Sequence, residues 1–469
     1  MATDASQQNR NAIRPEKLTD PDWAWAPYEP GASHPWTLQL AGHLYRRAAF
    51  GANGEQLKQA LADGPRRTID RLLRPTGDMA TFNRTFDEYE VAAAESGAEG
   101  VRAWWLRRMI ETPYPLLEQM TLFWHNHFAI SNARVNHPLL YCRYVQRLRR
   151  HALGSFEALL GEITSNPAVF AGLEARANRK AKPNLHFPRT LLEQYTVGPG
   201  QFTERDVQTA ARAFTGWSVL QNELRYSPLE HDAGAKRFLG QEGPFEGNDI
   251  VRILLQQPAT AQLVVQKLYR WLISETNPSP ALLIAPLAAS FARNHDVAQL
   301  VETMLRSNCF FSPTAYRQKI KSPVEFAVGI IRSLNGTVGT MRLGTELAAL
   351  GQDLFHPPTF KGWAGHRYWI NRFTVMGRTQ LGQALLASSG SYEGKLDPLA
   401  AARELGHLTP EKGQRFLLEL LLQGDLPENG QAALAESVPA SSAESPGNIG
   451  ERLRQLAGKI TALPEYQLA

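Results

Sequence analysis

Apolar residues recur at three- and four-residue spacing along most of this chain, the repeat of helices that each bury one face. Leu38, Leu40, Ala41 and Leu44 begin the pattern, and after Gly51 and Gly54 it resumes with Leu57, Leu61, Ile69, Leu72 and Leu73. The same repeat predicts helices near 99–111, 115–128, 136–153, 155–164, 187–197, 203–214, 281–306, 321–334 and 376–388. Several open on Pro or Thr, and the run PATAQLVVQKLYRWLIS from Pro258 is the clearest start, because proline's fixed φ suits a first helical turn. KGQRFLLELLLQG and a segment from about Gly450 supply the last helices.

The period changes in WSVLQNELRY and KRFLGQ, where strand formers are interrupted by polar turn residues, so a β-hairpin or three-stranded patch is expected there. The fold class is therefore all-α, a multi-helix bundle with a small β-hairpin insertion. Residues 1–35 are polar and proline-rich, an extended arm anchored by Trp23, Trp25 and Tyr28, with Trp36 just beyond it. A main helical domain over 36–390 and a C-terminal helical segment over 391–469, with a Ser/Ala/Pro linker near 437–447, complete the expected organisation on one body.

Composition narrows the class without naming a reaction. With 43% apolar and 20% charged residues among 469, the chain is globular, and a formal net charge of +5 permits an anionic partner without requiring one. Cys142 and Cys309 are too few for a disulfide framework or a zinc knuckle. The N-terminus lacks the apolar core of a secretion signal and no run is long enough to span a bilayer, which reads as a cytoplasmic protein with no membrane partner. Phosphate-binding loops, dinucleotide fingerprints and a serine nucleophile elbow are absent from the sequence.

Four polar segments carry candidate chemistry. In Trp124-His125-Asn126-His127-Phe128, two imidazoles one residue apart can meet a metal from an extended segment but diverge on a helix, where one caps and the other packs. His231-Asp232 with Lys236 joins an imidazole to a carboxylate in a Gly-containing loop, a pairing used in metal and acid–base sites, or equally a turn closed by Asp232. In the segment from Asn184 to Glu193, His186 stands near a helix N-terminus and Arg189 and Glu193 share a face, which suits an anion or a plain i,i+4 ion pair. The loop with Pro357, Pro358, Gly362, Trp363, His366, Trp369 and Asn371 can line a pocket or simply pack. Arg143, Arg147, Arg149 and Arg150 form a basic stretch, but no nucleic-acid module accompanies them, so a solvated helix face is favoured over nucleic-acid binding.

The blocks AGHLYRRAAFGANGEQL, ARAFTGWSV, IKSPVEF and LFHPPTFKGW, with WWLRRMIETPYPLLEQMTLFWHNHFAIS and the long HDAGAKRFLGQ block through QKLYRWLI, follow one another from about residue 42 to residue 370. In this order they resemble the bacterial family called domain of unknown function 1800, and the closing ITALPEYQL is similar to that family's usual end. The resemblance implies a shared scaffold but no settled activity; many relatives look exported and are encoded beside a sulfatase-like family, a possible kind of partner. Where the family usually carries two acids in an N-E-N-F-A-R-E-L-L block, this chain has Leu185 and Thr190.

Two functions follow as expectations. One is a hydrolase with a divalent metal on His125, His127, His231 and Asp232, with His125, His231, Asp232 and Glu193 in acid–base roles and Asn184, His186, Arg189 and Lys236 holding an anionic substrate. The other is a non-catalytic scaffold or partner-binding protein, in which the same residues form a buried hydrogen-bonded network.

Overall fold

A computed structural model describes residues 15–275, 281–392, 395–407, 409–436 and 446–469. Most of the 437–447 linker falls outside the described residues, as do the first fourteen residues of the arm. The architecture is mainly helical with a small β insertion. The periodic segments are helices at Leu38–Ala48, Gly54–Leu73, Gly97–Glu111, Pro115–His127, Pro138–His151, Phe156–Thr164, Pro258–Leu272, Pro323–Ser333 and Arg372–Leu386. Proline opens the helices beginning at 115, 138, 258 and 323, where its missing N–H is one the first turn leaves unpaired anyway.

Three expectations are corrected in detail. The single helix read over 281–306 is two, Ala281–Asn294 and Val297–Arg306, because His295 takes a positive φ of 53° and Asp296 caps the second helix. The β insertion is two separate antiparallel hairpins, Trp217–Leu220 with Glu223–Tyr226 and Lys236–Phe238 with Gln241–Gly243, rather than one patch. The helix read over 187–197 is α-helical only from His186 to Thr190 and continues as a π-turn over Leu191–Tyr195.

Pro115–His127 and Pro323–Ser333 are the inner helices: every residue is buried except Leu117 and Asn126 in the first and Arg332 in the second, the signature of helices enclosed on all sides. Pro115–His127 packs on Pro138–His151, and Gly97–Glu111 packs on Thr340–Ala349 and on Pro323–Ser333. Inside this group Glu118, 1% exposed, accepts from Arg108 Nε at 2.8 Å, Arg149 Nε at 2.6 Å and Trp105 Nε1 at 2.9 Å. Burial opposes its charge, but the two guanidiniums outweigh that and hold its pKa below the usual carboxylate range.

The ends of the chain are stitched to this body by their aromatic and backbone groups. Trp25 Nε1 donates to Leu283 O at 2.8 Å and Trp36 Nε1 to Ala60 O at 2.9 Å, while Tyr28 N donates to Arg306 O at 2.7 Å. At the other terminus Lys321 N donates to Gln467 O and Ala469 N to Lys319 O, both at 2.8 Å. The closing ITALPEYQL segment thus pins the stretch that carries Lys319 and Lys321 in place. No helix among the described residues is long and apolar enough to cross a membrane.

Candidate functional site

A cavity of about 220 Å³ opens where four segments converge. The end of Pro115–His127 supplies Phe123, Asn126 and His127; the end of Pro258–Leu272 supplies Lys267, Arg270 and Trp271, with Glu275 just beyond. The entry to Pro323–Ser333 adds Lys319, Ser322 and Glu325, and the 361–369 loop closes the cavity with Lys361, Trp363, Gly365 and Trp369. Four cationic side chains thus face two carboxylates between aromatic walls, a concave surface of mixed character typical of small-molecule sites.

The loop is held by specific groups. Asn126 Oδ1 accepts from Trp363 N at 2.7 Å. At Gly362, where φ is +77°, a Cβ would stand 2.0 Å from that same Oδ1. At Gly365, where φ is +72°, a Cβ would stand 2.7 Å from Glu275 Oε1. Both backbone conformations therefore favour glycine, and at Gly362 the Asn126 backbone carbonyl, 2.5 Å from that Cβ, excludes a side chain as well. Glu275 Oε2 in turn accepts from His366 N at 3.1 Å.

Lys267 is the least compensated of the ammonium groups in the cavity, and Arg270 beside it is exposed to solvent. The Lys267 ammonium donates to His127 Nδ1 at 3.0 Å and to Gln194 O at 2.9 Å, two uncharged acceptors, and among the described residues no carboxylate pairs with it. Burial, with repulsion from Arg270, lowers its pKa to about 8. His127 Nε2 lies 3.2 Å from Tyr195 O, so the proton sits on Nε2 and Nδ1 is the acceptor for Lys267. Burial first, then the Lys267 charge, keeps this imidazole well below its ordinary pKa and neutral.

The carbonyls of Gln194 and Tyr195 are free for these bonds because they belong to the last turn of a helix, whose C=O groups lack intrahelical donors. The wide π-turn over Leu191–Tyr195 aims them at the cavity, and such turns recur at functional sites.

The carboxylates and the other two lysines are each paired, while Arg270 stands exposed to solvent. Lys319, 2% exposed, donates to Glu325 Oε1 at 2.6 Å and lies over the Trp271 ring, 4.0 Å from its centroid. Glu325 Oε2 accepts from Ser322 N at 2.8 Å in a reciprocal cap of its helix. Burial opposes its charge, but Lys319, that backbone N–H and Arg47 hold its pKa down. Glu275 is the reverse case: burial dominates and raises its pKa, with the Glu325 charge adding and Lys319 and Arg47 opposing. Lys361 lies 3.6 Å from Glu193 Oε1.

The residues singled out from sequence do not gather into one site. His125 and His127 fall in the last turn of a regular helix and diverge. The His125 ring is 1% exposed, stacks on Trp363 with centroids 5.5 Å apart, and has no hydrogen-bond partner on either nitrogen. Its burial lowers its pKa to about 3, so it packs as a neutral ring behind the loop. His231 Nδ1 instead lies 2.9 Å from Thr215 O, and Asp232 takes a two-pronged bond from Arg212 at 2.7 and 3.1 Å. That bond, joined by a bond from the Gly234 N–H, pulls the Asp232 pKa down to about 2 against its burial.

Lys236, 3% exposed, is spent on the Asp232 and Gly234 carbonyls. A metal shared by His125, His127, His231 and Asp232 therefore has no common coordination sphere, and among the described residues no group of three or more His, Cys, Asp or Glu side chains is placed to hold one.

The 184–193 segment is also redistributed. The π-turn rotates Glu193 off the face of Arg189, so the expected i,i+4 pair is replaced by Arg189 with Glu204 at 2.5 Å and Glu193 with Lys361. Asn184 caps the turn by accepting from Phe187 N at 2.9 Å, and His186 meets the edge of Phe360. Leu185 is exposed and Thr190 buried, and neither lines the cavity. In the basic stretch, Arg149 is buried on Glu118 and Arg147 pairs with Glu162 at 2.6 Å, which leaves no continuous cationic face.

Sequence reasoning thus reached His127 and the 361–369 loop but missed Lys267, Arg270, Glu275, Lys319 and Glu325. One signal was present: Lys267, Arg270 and Trp271 fall at i, i+3 and i+4 of an otherwise apolar helix, two cations and an indole on one face.

Fold and cavity define a mainly helical protein with a cation-rich, aromatic-walled cleft at the meeting point of its inner helices. The chain belongs to the family described as protein of unknown function (DUF1800), whose model matches residues 43–468. No curated protein and no solved structure matches it.

Proposed function

We propose that the cleft binds a small organic anion with a planar or apolar body and acts on it by proton transfer. The observation that carries this reading is Lys267, a buried ammonium at the cavity wall bonded only to neutral acceptors, where an anionic group would supply the missing counter-charge. Arg270 and Lys319 add positive potential, and Trp271, Trp363 and Trp369 offer flat surfaces for the rest of the ligand. Lys267 and Glu275 have pKa values displaced toward each other, the pattern of an acid–base pair working near neutral pH. In hydrolysis of an anionic ester, water would add to the ester centre as its bond to the leaving oxygen breaks, Glu275, kept toward its acid form by burial, would give its proton to that oxygen and take back the one the water loses, and Lys267 would hold the charge of the substrate. This keeps the anionic substrate expected from the sequence, moves it from the 186–189 turn to the cleft, and uses no metal ligand set.

The test is calorimetric titration with phenyl phosphate, benzoate and phenol, which share a ring and differ in charge. Both anions bind and phenol does not, and Lys267→Met weakens the anions at least about tenfold, the loss of one charge-assisted contact. Phenol binding as well as the anions, or no weakening in the variant, would overturn the reading.

A further inference from the structure

A second, smaller cavity of about 10 Å³ lies where the Leu38–Ala48 helix and the Phe50–Ala52 turn meet Pro323–Ser333, the Gln423 turn and Tyr466. It has room for one water-sized occupant. Two cationic side chains line it, Arg46 at 5% exposure and Lys321 at 3%, and no carboxylate does.

The groups left over there are donors. Arg46 Nη1 bonds Gln423 Oε1, but its Nε and Nη2 are buried without a partner. The Lys321 ammonium lies 3.6 Å from the centroid of the Tyr466 ring, whose face offers only a weak attraction. Burial, then repulsion from Arg317, pulls the Arg46 pKa down to about 10, and burial with repulsion from Arg46 and Arg317 lowers that of Lys321 well below its ordinary value.

The nearby acids are already engaged. Asp425 Oδ2 accepts from Tyr316 Oη at 2.7 Å and Arg317 Nε at 2.9 Å, and Glu325 is taken by Lys319 and the Ser322 N–H. Buried like charges without a counter-ion are strongly unfavourable, so this region lacks one negative charge.

The walls limit what can supply it. A Cβ on Gly42 would stand 2.3 Å from the Gln423 side chain, and one on Gly329 would stand 2.7 Å from Phe50 O. A phosphate or carboxylate has no space. Water fits and its lone pairs could accept from the unpaired Arg46 Nε and Nη2, but it is neutral and leaves the two cations without a counter-charge.

We propose that this cavity is a structural site for a single monatomic anion, a halide of chloride size, bridging Arg46 and Lys321. It is independent of the cleft function: the ion ties the Leu38–Ala48 helix to the Lys319–Ser322 stretch from within. Its binding appears as folding stability, because an ion held only by the folded chain shifts the unfolding equilibrium.

The test compares thermal unfolding of the full chain in sodium chloride, bromide and gluconate at one ionic strength and pH, together with crystals grown in bromide. Chloride and bromide raise the melting temperature saturably over gluconate, and an anomalous bromide peak stands between Arg46 and Lys321. Lys321→Met raises the halide concentration needed for half the effect at least tenfold, whereas Lys267→Met leaves it unchanged. If Lys321→Met does not fold, the bromide peak in the unaltered protein decides. Absence of that peak, with water density in the cavity, overturns the proposal, as does equal stability in gluconate and halide.

Discussion

The loop from His231 to Lys236 and the cleft around Lys267 hold the same kinds of side chain, an imidazole, carboxylates and ammonium groups, yet they are chemically opposite. In the loop each charge is consumed locally: Asp232 by Arg212 and the Gly234 N–H, Lys236 by two carbonyls of its own turn. In the cleft the partners come from distant segments and leave one ammonium without a counter-charge, 140 residues from the imidazole it bonds. A polar motif compact in sequence tends to satisfy itself, and a satisfied group has little left to offer a ligand. Chemistry is better sought where tertiary packing forces charges together and leaves one unspent.

The change that most damages this contrast is Gly362→Ala. It places a methyl against Asn126 at a positive φ, so it should cost about 2–4 kcal/mol of stability and abolish benzoate binding; urea unfolding and calorimetry read the two effects.

Lys267→Met separates binding from stability. The folded pKa of about 8 lies below the ordinary lysine value of 10.5, so the unfolded chain holds more protons between those values. Stability of the unaltered protein therefore rises with pH through that window and is lost as pH falls through 8, by about 3 kcal/mol in all. The variant should lose this rise along with the anion affinity, as urea midpoints from pH 7 to 10.5 would show. Reductive trapping with pyridoxal phosphate and borohydride, followed by peptide mapping, should label Lys267 ahead of the surface lysines, most selectively near pH 8 and less so as pH rises toward 10.5, because only the neutral amine attacks an aldehyde.

On the other side of the comparison, Asp232→Asn should cost about 1 kcal/mol, through its half-buried bond with Arg212, and leave benzoate affinity unchanged. The smallest effect belongs to Arg189→Ala: its exposed pair with Glu204 should contribute under about 0.5 kcal/mol, with no change in anion binding. Loss of affinity in either variant, with Lys267→Met silent, would reverse the assignment of the site.

How much of this was legible depended on the range of the interaction. Helix positions followed from apolar spacing and proline starts, because both act within a few residues. The π-turn at Leu191–Tyr195 was not legible: its residues suit an α-helix equally well, and the wider turn matches the fit of carbonyls 194 and 195 to Lys267 and His127, which lie elsewhere in the chain. Of the imidazole pair, spacing said only that the two diverge on a helix. Which of them lines the cavity is decided by Trp363, stacked on His125 and leaving His127 to form part of the cavity wall.

By itself, then, the sequence determined that the chain is mainly helical, where its hairpins and aromatic loop lie, and which family's scaffold it carries, since these rest on local periodicity and on long blocks of residues in order. The tertiary structure alone decided which polar groups meet. His127, Lys267, Lys319 and Lys361 come from separate segments, and their protonation and pairing follow from burial and neighbours that no local spacing encodes.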